Sequence, residues 1–218
     1  MPAHPLPTGT IEIHAVGARL AGDCSVPAGA AGLVLFAHGS GSGRLSPRNR
    51  QVAETLNTAG LGTLLFDLLT DAEAADRRNV FDVELLAARL QTARDWVSAQ
   101  PALEGLGIGY FGASTGASAA LIAAADRPDD VSAVVSRGGR PDLAAERLPA
   151  VHAPTLLIVG GADVEVLRLN QAARERLRAP SELAVIPGAT HLFEEPGALE
   201  QVADLSAAWF TEYLRTGG

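Results

Sequence analysis

The strongest constraint on this chain is a repeated alternation of short β-rich runs with longer amphipathic stretches. Residues 32–37, 62–66, 106–111, 131–135, 155–159 and 182–186 are largely apolar, which suits strands covered on both faces. Residues 10–16 alternate in polarity like a half-buried strand, and residues 19–25 can pair with them antiparallel. Helical stretches are expected at 47–59, 83–99, 115–125, 164–177 and 198–214. Pro47 stands at a first turn, where its missing N–H costs nothing. Leu85, Leu86, Leu90, Ala93 and Val97 fall on one helical face. Strand–helix alternation requires right-handed crossovers, giving a mostly parallel sheet with helices on both faces, an α/β fold. Chemistry in such sheets gathers beyond the carboxyl ends of the strands, so reactive residues should directly follow the apolar runs.

Composition narrows the partners. With 218 residues the chain fits a single domain spanning 1–218, and 47% hydrophobic against 19% charged residues is an ordinary soluble balance. A formal net charge of -8 argues against nucleic acid, whose binders need a basic stripe. No apolar run approaches a membrane span. The single cysteine, Cys24, permits neither an intramolecular disulfide nor a cysteine-rich metal site. Residues 1–10 carry no basic segment followed by an apolar one, so no signal peptide is expected and a cytoplasmic location is.

After the run at 106–111 the chain reads Gly112-Ala113-Ser114-Thr115-Gly116 and enters an alanine-rich helix. This is G-x-S-x-G in its required context, strand before and helix after. Glycines at the flanks let strand and helix approach, and the tight turn lifts a serine hydroxyl clear of the sheet. The alternative is a glycine-rich helix start at which Ser114 only caps.

A serine hydroxyl needs a base, and the base needs an orienting group. With this motif the chain order is serine, acid, histidine. Of five histidines only His191, after the run at 182–186, lies beyond the next strand-end acid. That acid is Asp163 in Gly160-Gly161-Ala162-Asp163, with Glu165, Glu194, Glu195 and Asp142 as rivals. Asp163 could equally serve as the N-cap of the following helix. Donors for a developing oxyanion are expected from the Thr115 N–H and from the glycine-rich loop at 38–43, by Ser40 or else Gly41. That loop is not a Walker A phosphate cradle, since Gly43-Arg44-Leu45 lacks the closing Lys-Ser/Thr. His38 is expected to be structural. Arg137 and Arg140 follow a strand end and are candidates to pair with a substrate carboxylate, or else to form solvated salt bridges. Asp67, with the polar segment 70–79, is a candidate pocket wall, and Arg44, Arg48 and Asn49 could brace the oxyanion loop.

These motifs (residues 38–43, 66–70, 112–116, 160–163 and 188–191) together resemble the α/β-hydrolase superfamily, and within it the small dienelactone-hydrolase-like proteins. The resemblance implies an eight-stranded sheet with an antiparallel second strand, and an acyl-enzyme mechanism using neither metal nor organic cofactor. One departure stands out: dienelactone hydrolases proper carry cysteine at the nucleophile, where this chain has Ser114. Too few residues lie between 135 and 155 for a large cap domain, so an open or shallow site is expected. The expected activity is hydrolysis of a small-molecule carboxylic ester. The same triad could act on a thioester, amide, lactone or carbon–carbon bond, or transfer an acyl group, and a non-catalytic binding protein of this fold is a further alternative. A homo-oligomer is compatible with all three.

Overall fold

In the computed structural model, residues 8–214 are described; residues 1–7, where no signal peptide is legible, lie outside them. Eight strands form one sheet: β1 (Gly9–Ala15), β2 (Ala18–Ser25), β3 (Gly32–Ala37), β4 (Gly62–Phe66), β5 (Gly107–Ala113), β6 (Ala133–Arg137), β7 (Thr155–Gly160) and β8 (Ser181–Ile186). Their spatial order is β1-β2-β4-β3-β5-β6-β7-β8. β2 runs antiparallel to both its neighbours, and β4 through β8 are parallel with β3.

Burial follows from the sequence pattern. Every residue of β3, β4, β6 and β7 is buried, whereas β2 alternates and the edge strand β8 is largely part-exposed. Because strand side chains alternate in direction, Leu33 and Leu35 enter one core while Val34 and Phe36 enter the other. The first core is covered by α4 (Val83–Ser98), through Leu86, Leu90 and Val97, and by α5 (Thr115–Asp126). α6 (Val164–Arg174) adds Ala173 to that side. The second is covered by α1 (Pro47–Thr58), through Val52 and Leu56, and by α7 (Ala198–Tyr213), through Val202 and Phe210. Each such leucine taken fully from water contributes about 1.5–3 kcal/mol. Among the described residues no helix is long and apolar enough to cross a membrane.

Two details depart from the sequence expectation, and the open top matches it. β6 is displaced two residues toward the C-terminus of the expected run, so Ser136 and Arg137 are strand residues paired beside Gly112 and Ala113. The polar segment after β4 folds into two short helices, α2 (Asp71–Ala74) and α3 (Arg77–Val80). A capping box starts the first: the Glu73 N–H donates to Thr70 Oγ1, and the Glu73 carboxylate accepts from the Thr70 N–H. Glu73 also pairs with the buried Arg89 of α4 at 2.6 Å, which ties the segment to the first core. Between β6 and β7 only the 3₁₀ turns Pro141–Ala144 and Leu148–Ala150 intervene, so there is no large cap.

Candidate active site

From Ile108 to Ala125 every residue is buried except Ser114. It stands at the junction of β5 and α5 with φ 52 and ψ -120, a conformation that costs a side-chain-bearing residue on the order of 1–3 kcal/mol. Surrounding main chain holds it there. The Ser114 N–H donates to the Arg137 carbonyl at 3.2 Å, and the Ser114 carbonyl accepts from the N–H groups of Ala117 and Arg140. A β-carbon on Gly116 would stand 2.1 Å from the Ala37 carbonyl oxygen, and one on Gly112 would stand 2.4 Å from Ala117 Cα. Glycine at both flanks is therefore what lets α5 start against the ends of β3 and β5. Ser114 occupies the N-cap position of α5, but its side chain accepts no capping hydrogen bond.

Asp163 and His191 come from neighbouring loops that are joined main chain to main chain. The Gly161 N–H donates to the Ile186 carbonyl and the Ala162 N–H to the Ala189 carbonyl, at 2.8 and 2.9 Å. A β-carbon on Gly160 would lie 2.3 Å from that Ala189 oxygen. Asp163 is the N-cap residue of α6, yet its carboxylate caps nothing. Oδ2 instead meets His191 Nδ1 at 2.8 Å. A carboxylate can only accept, so Nδ1 carries a proton, which in the neutral ring leaves the lone pair on Nε2. Glu165 is exposed at the start of α6, and the other three rival acids are occupied elsewhere. Glu195 accepts from the Thr190 N–H, Glu194 pairs with Arg48, and Asp142 pairs with Arg140. The Thr190 contact holds the Glu195 carboxyl below the usual range.

Ser114 and His191 line one cavity of about 250 Å³ together with Gly39, Ser40, Ser42, Arg48, Ala113, Arg137 and Leu192. Thr115 begins α5 beside it, and the Ser40 N–H donates to Thr115 Oγ1 at 3.2 Å. A larger cavity of about 360 Å³ shares Gly39, Ser40 and Ser42, and extends past Gly41 to Asp67, Leu69, Ala74, Val80 and Leu86. Gly41 and Asp67 therefore face the adjoining space rather than the Ser114 cavity. Asp67 braces the loop: its Oδ1 accepts from the Arg44 N–H at 2.8 Å, and its Oδ2 lies 3.1 Å from Arg44 Nε. His38 is structural as expected. Its Nε2 accepts from the Leu68 N–H at 2.9 Å and its Nδ1 lies 3.1 Å from the Gly39 carbonyl, joining the ends of β3 and β4. Burial lowers the pKa of this imidazole, against the opposing effects of the Gly39 contact and the Asp67 charge.

The two arginines part company. Arg140 does not line the Ser114 cavity; its guanidinium lies in a fork against Asp142 at 2.9 and 2.8 Å, so the salt-bridge reading holds for it. Arg137 is not on a loop after the strand but is the last residue of β6, 8% exposed, with Nη1 unpartnered among the described residues. Burial first, and the Arg48 charge second, lower its pKa to about 10. Cys24 lies in β2, buried, with its thiol pushed up to about 11 by burial, and is remote in the sheet from the Ser114 turn. Sequence reasoning missed Phe193, buried at 1% exposure with φ 55. Its N–H donates to the Thr190 carbonyl, anchoring the loop that carries His191.

Comparison with known proteins agrees with this architecture. A dienelactone hydrolase from Anabaena variabilis ATCC 29413 is 56% identical, superposes with a TM-score of 0.92, and is matched over 94% of this chain and 97% of its own. Est1E from Butyrivibrio proteoclasticus shares the fold at 17% identity, with a TM-score of 0.82 over 94% of this chain and 99% of that one. A Mycobacterium tuberculosis H37Rv protein provisionally named a phosphoribosyl transferase is 57% identical over 210 residues, which is 96% of this chain. The match covers 47% of that protein, so the chain spans about half the length of this curated relative. The family model of the dienelactone hydrolase family matches residues 49–214, and the chain belongs to that family, with the α/β-hydrolase fold.

Proposed function

We propose that the chain hydrolyses carboxylic esters through an acyl-enzyme on Ser114, with His191 as base and Asp163 as the orienting acid. The observation that carries the reading is the Asp163 carboxylate, which sits at a helix N-cap but turns to His191 Nδ1 at 2.8 Å. An aspartate needed only for capping would face the N–H groups of α6.

His191 Nε2 takes the proton from Ser114 Oγ as that oxygen bonds to the ester carbonyl carbon. The electron pair of the carbonyl double bond moves to its oxygen, which the Thr115 N–H and the Ser40 N–H stabilise. Carbonyl oxygen and Thr115 Oγ1 compete for the Ser40 N–H, which spans a long 3.2 Å to the threonine. The tetrahedral intermediate collapses, the alkoxide leaves with the proton held by His191, and water repeats the sequence on the acyl-enzyme. A lactone, as an internal ester, would open by the same steps, in keeping with the named activity of the Anabaena relative.

The test is hydrolysis of short p-nitrophenyl esters by the wild type and by Ser114→Ala. Activity should fall at least 1,000-fold, and a fluorophosphonate should label the wild type alone. Ser114→Ala turning over at the wild-type rate refutes the assignment.

A further inference from the structure

Two buried polar side chains outside the triad converge on one short loop. That loop, Gly138, Gly139 and Arg140, leaves β6 and touches both Ser114 and His191. Together with Arg137 it grips the main chain of the nucleophile from both sides. The Arg137 carbonyl accepts from the Ser114 N–H, and the Arg140 N–H donates to the Ser114 carbonyl, each at 3.2 Å. A β-carbon on Gly138 would lie 3.5 Å from His191 Cε1, so the imidazole packs against the same loop. The loop also lies flush on β6, for a β-carbon on Gly139 would stand 2.1 Å from Ser136 Oγ.

The Gly139 carbonyl accepts from Asn170 Nδ2 at 3.0 Å, and the Arg140 carbonyl from Ser118 Oγ at 2.6 Å. Ser118 lies about one turn after Ser114 on α5, and Asn170 about two turns after Asp163 on α6. Each helix that begins at a triad residue thus sends a fully buried donor to the loop. The Asn170 amide is oriented by its second N–H, which meets the Val166 carbonyl of its own helix at 2.8 Å. Its oxygen has no partner among the described residues, a cost that an apolar residue would avoid. We propose that Asn170 and Ser118 are positioning residues that lock this loop, and through it hold Ser114 in its strained turn at working distance from His191. This rests on the reading of Ser114, Asp163 and His191 as a hydrolytic triad. Neither side chain lines the Ser114 cavity, so neither touches substrate. They act through geometry alone, where a misplacement of about 1 Å costs on the order of a hundredfold in rate.

The experiment splits kcat from KM on a short p-nitrophenyl ester, at a temperature where circular dichroism shows every variant folded. Asn170→Leu keeps the bulk of the side chain and removes both donors, and Ser118→Ala removes the hydroxyl. In Asn170→Leu kcat should fall by about ten- to a hundredfold, with KM within about threefold of wild type. Ser118→Ala should lose about three- to tenfold, less because the Leu143 N–H still holds the Arg140 carbonyl. Val202→Ala opens a cavity in the second core, far from the loop in the chain, and controls for destabilisation alone; its kcat should stay at the wild-type value. Wild-type kcat in either loop variant, a rise in KM that accounts for the whole loss, or an equal loss in Val202→Ala overturns the proposal. Ser118→Ala decides the matter should Asn170→Leu fail to fold.

Amide hydrogen exchange reads the loop without turnover. In the loop variants the amides of Ser114 and Arg140 should exchange at least about tenfold faster, while those of β3 keep their wild-type rates. Unchanged exchange at Ser114 and Arg140 overturns the proposal. If the wild type cleaves no ester while these two amides loosen in the variants, the hydrolase reading fails and the lock on the Ser114 turn stands.

Discussion

Replacing Asp163 by asparagine separates a helix cap from a catalytic acid at a single atom pair. Asparagine caps helices about as well as aspartate, so a purely capping role predicts unchanged stability and unchanged activity. The structure predicts something else. The carboxylate makes no bond to the first turn of α6, and its Oδ2 holds His191 Nδ1 at 2.8 Å. An amide in its place can offer an N–H to Nδ1, which moves the imidazole proton to Nε2, where it can no longer accept from Ser114. The wrong tautomer, with no carboxylate to stabilise the imidazolium, should lower kcat by about 1,000- to 10,000-fold, or roughly 4–5.5 kcal/mol of barrier. KM should change little, because the amide touches no substrate. The melting temperature should stay within about 2 °C, since a whole kcal/mol shifts a domain of this size by only about 2–4 °C. Steady-state kinetics on a p-nitrophenyl ester, beside a thermal melt, reads both quantities. A kcat within tenfold of wild type at unchanged melting refutes the triad reading of Asp163.

Gly160→Ala should lower kcat by about a hundredfold without matching loss of secondary structure, because the new methyl would stand 2.3 Å from the Ala189 carbonyl and push the His191 loop off Asp163. Kinetics with circular dichroism checks this, and wild-type kcat refutes it. Asp67→Ala frees the Arg44 N–H and Nε, leaving Nη1 on Asp23, and should reduce kcat/KM by about tenfold through a looser Ser40 loop; hydrolysis of a neutral ester reads it. For His38, burial holds the folded pKa below the ordinary 6.5, so protons bind the unfolded chain first. Unfolding therefore takes up protons and stability rises with pH across the window below 6.5, then levels off above it. Melting temperatures from pH 5 to 8 should show this slope in the wild type and a shallower one in His38→Gln.

The strand pattern was legible because a parallel sheet covered on both faces must be built from apolar runs, and β3, β4 and β7 are such runs. The shared sheet edge of Ser114, Asp163 and His191 was legible for a related reason: fold chirality puts the carboxyl ends of β5, β7 and β8 on one edge, and each residue follows one of those strands. α2 and α3 were not legible from periodicity, since four residues make barely one turn. Their signal lay in the caps, with Thr70 and Glu73 forming a box and Asp76 accepting from the Arg78 N–H. Gly41 and Asp67 shared the Ser40 loop with the site in sequence, but the chain turns between the two cavities there, and only coordinates show on which side each residue falls.

β6 carries the deeper lesson about polar residues at strand ends. A hydrophobicity reading stops the strand at Val135 because Ser136 and Arg137 are polar, yet both are buried and both lie in the ladder, opposite Gly112 and Ala113. Their partners explain the extension. The main chain of Arg137 must reach Ser114, whose N–H it accepts, so the strand runs on as far as the nucleophile turn does. Had stability alone decided position 137, an apolar residue at that buried strand end would have avoided the desolvation of a guanidinium. A residue that violates the burial rule directly beside the nucleophile is where chemistry competes with folding. The same conflict recurs at Ser114 and Phe193, the two non-glycine residues with positive φ among those described, the first a member of the proposed triad and the second two residues from His191. Strain, buried charge and the aligned carboxylate thus converge on one sheet edge, where only the first of them touches Ser114 itself.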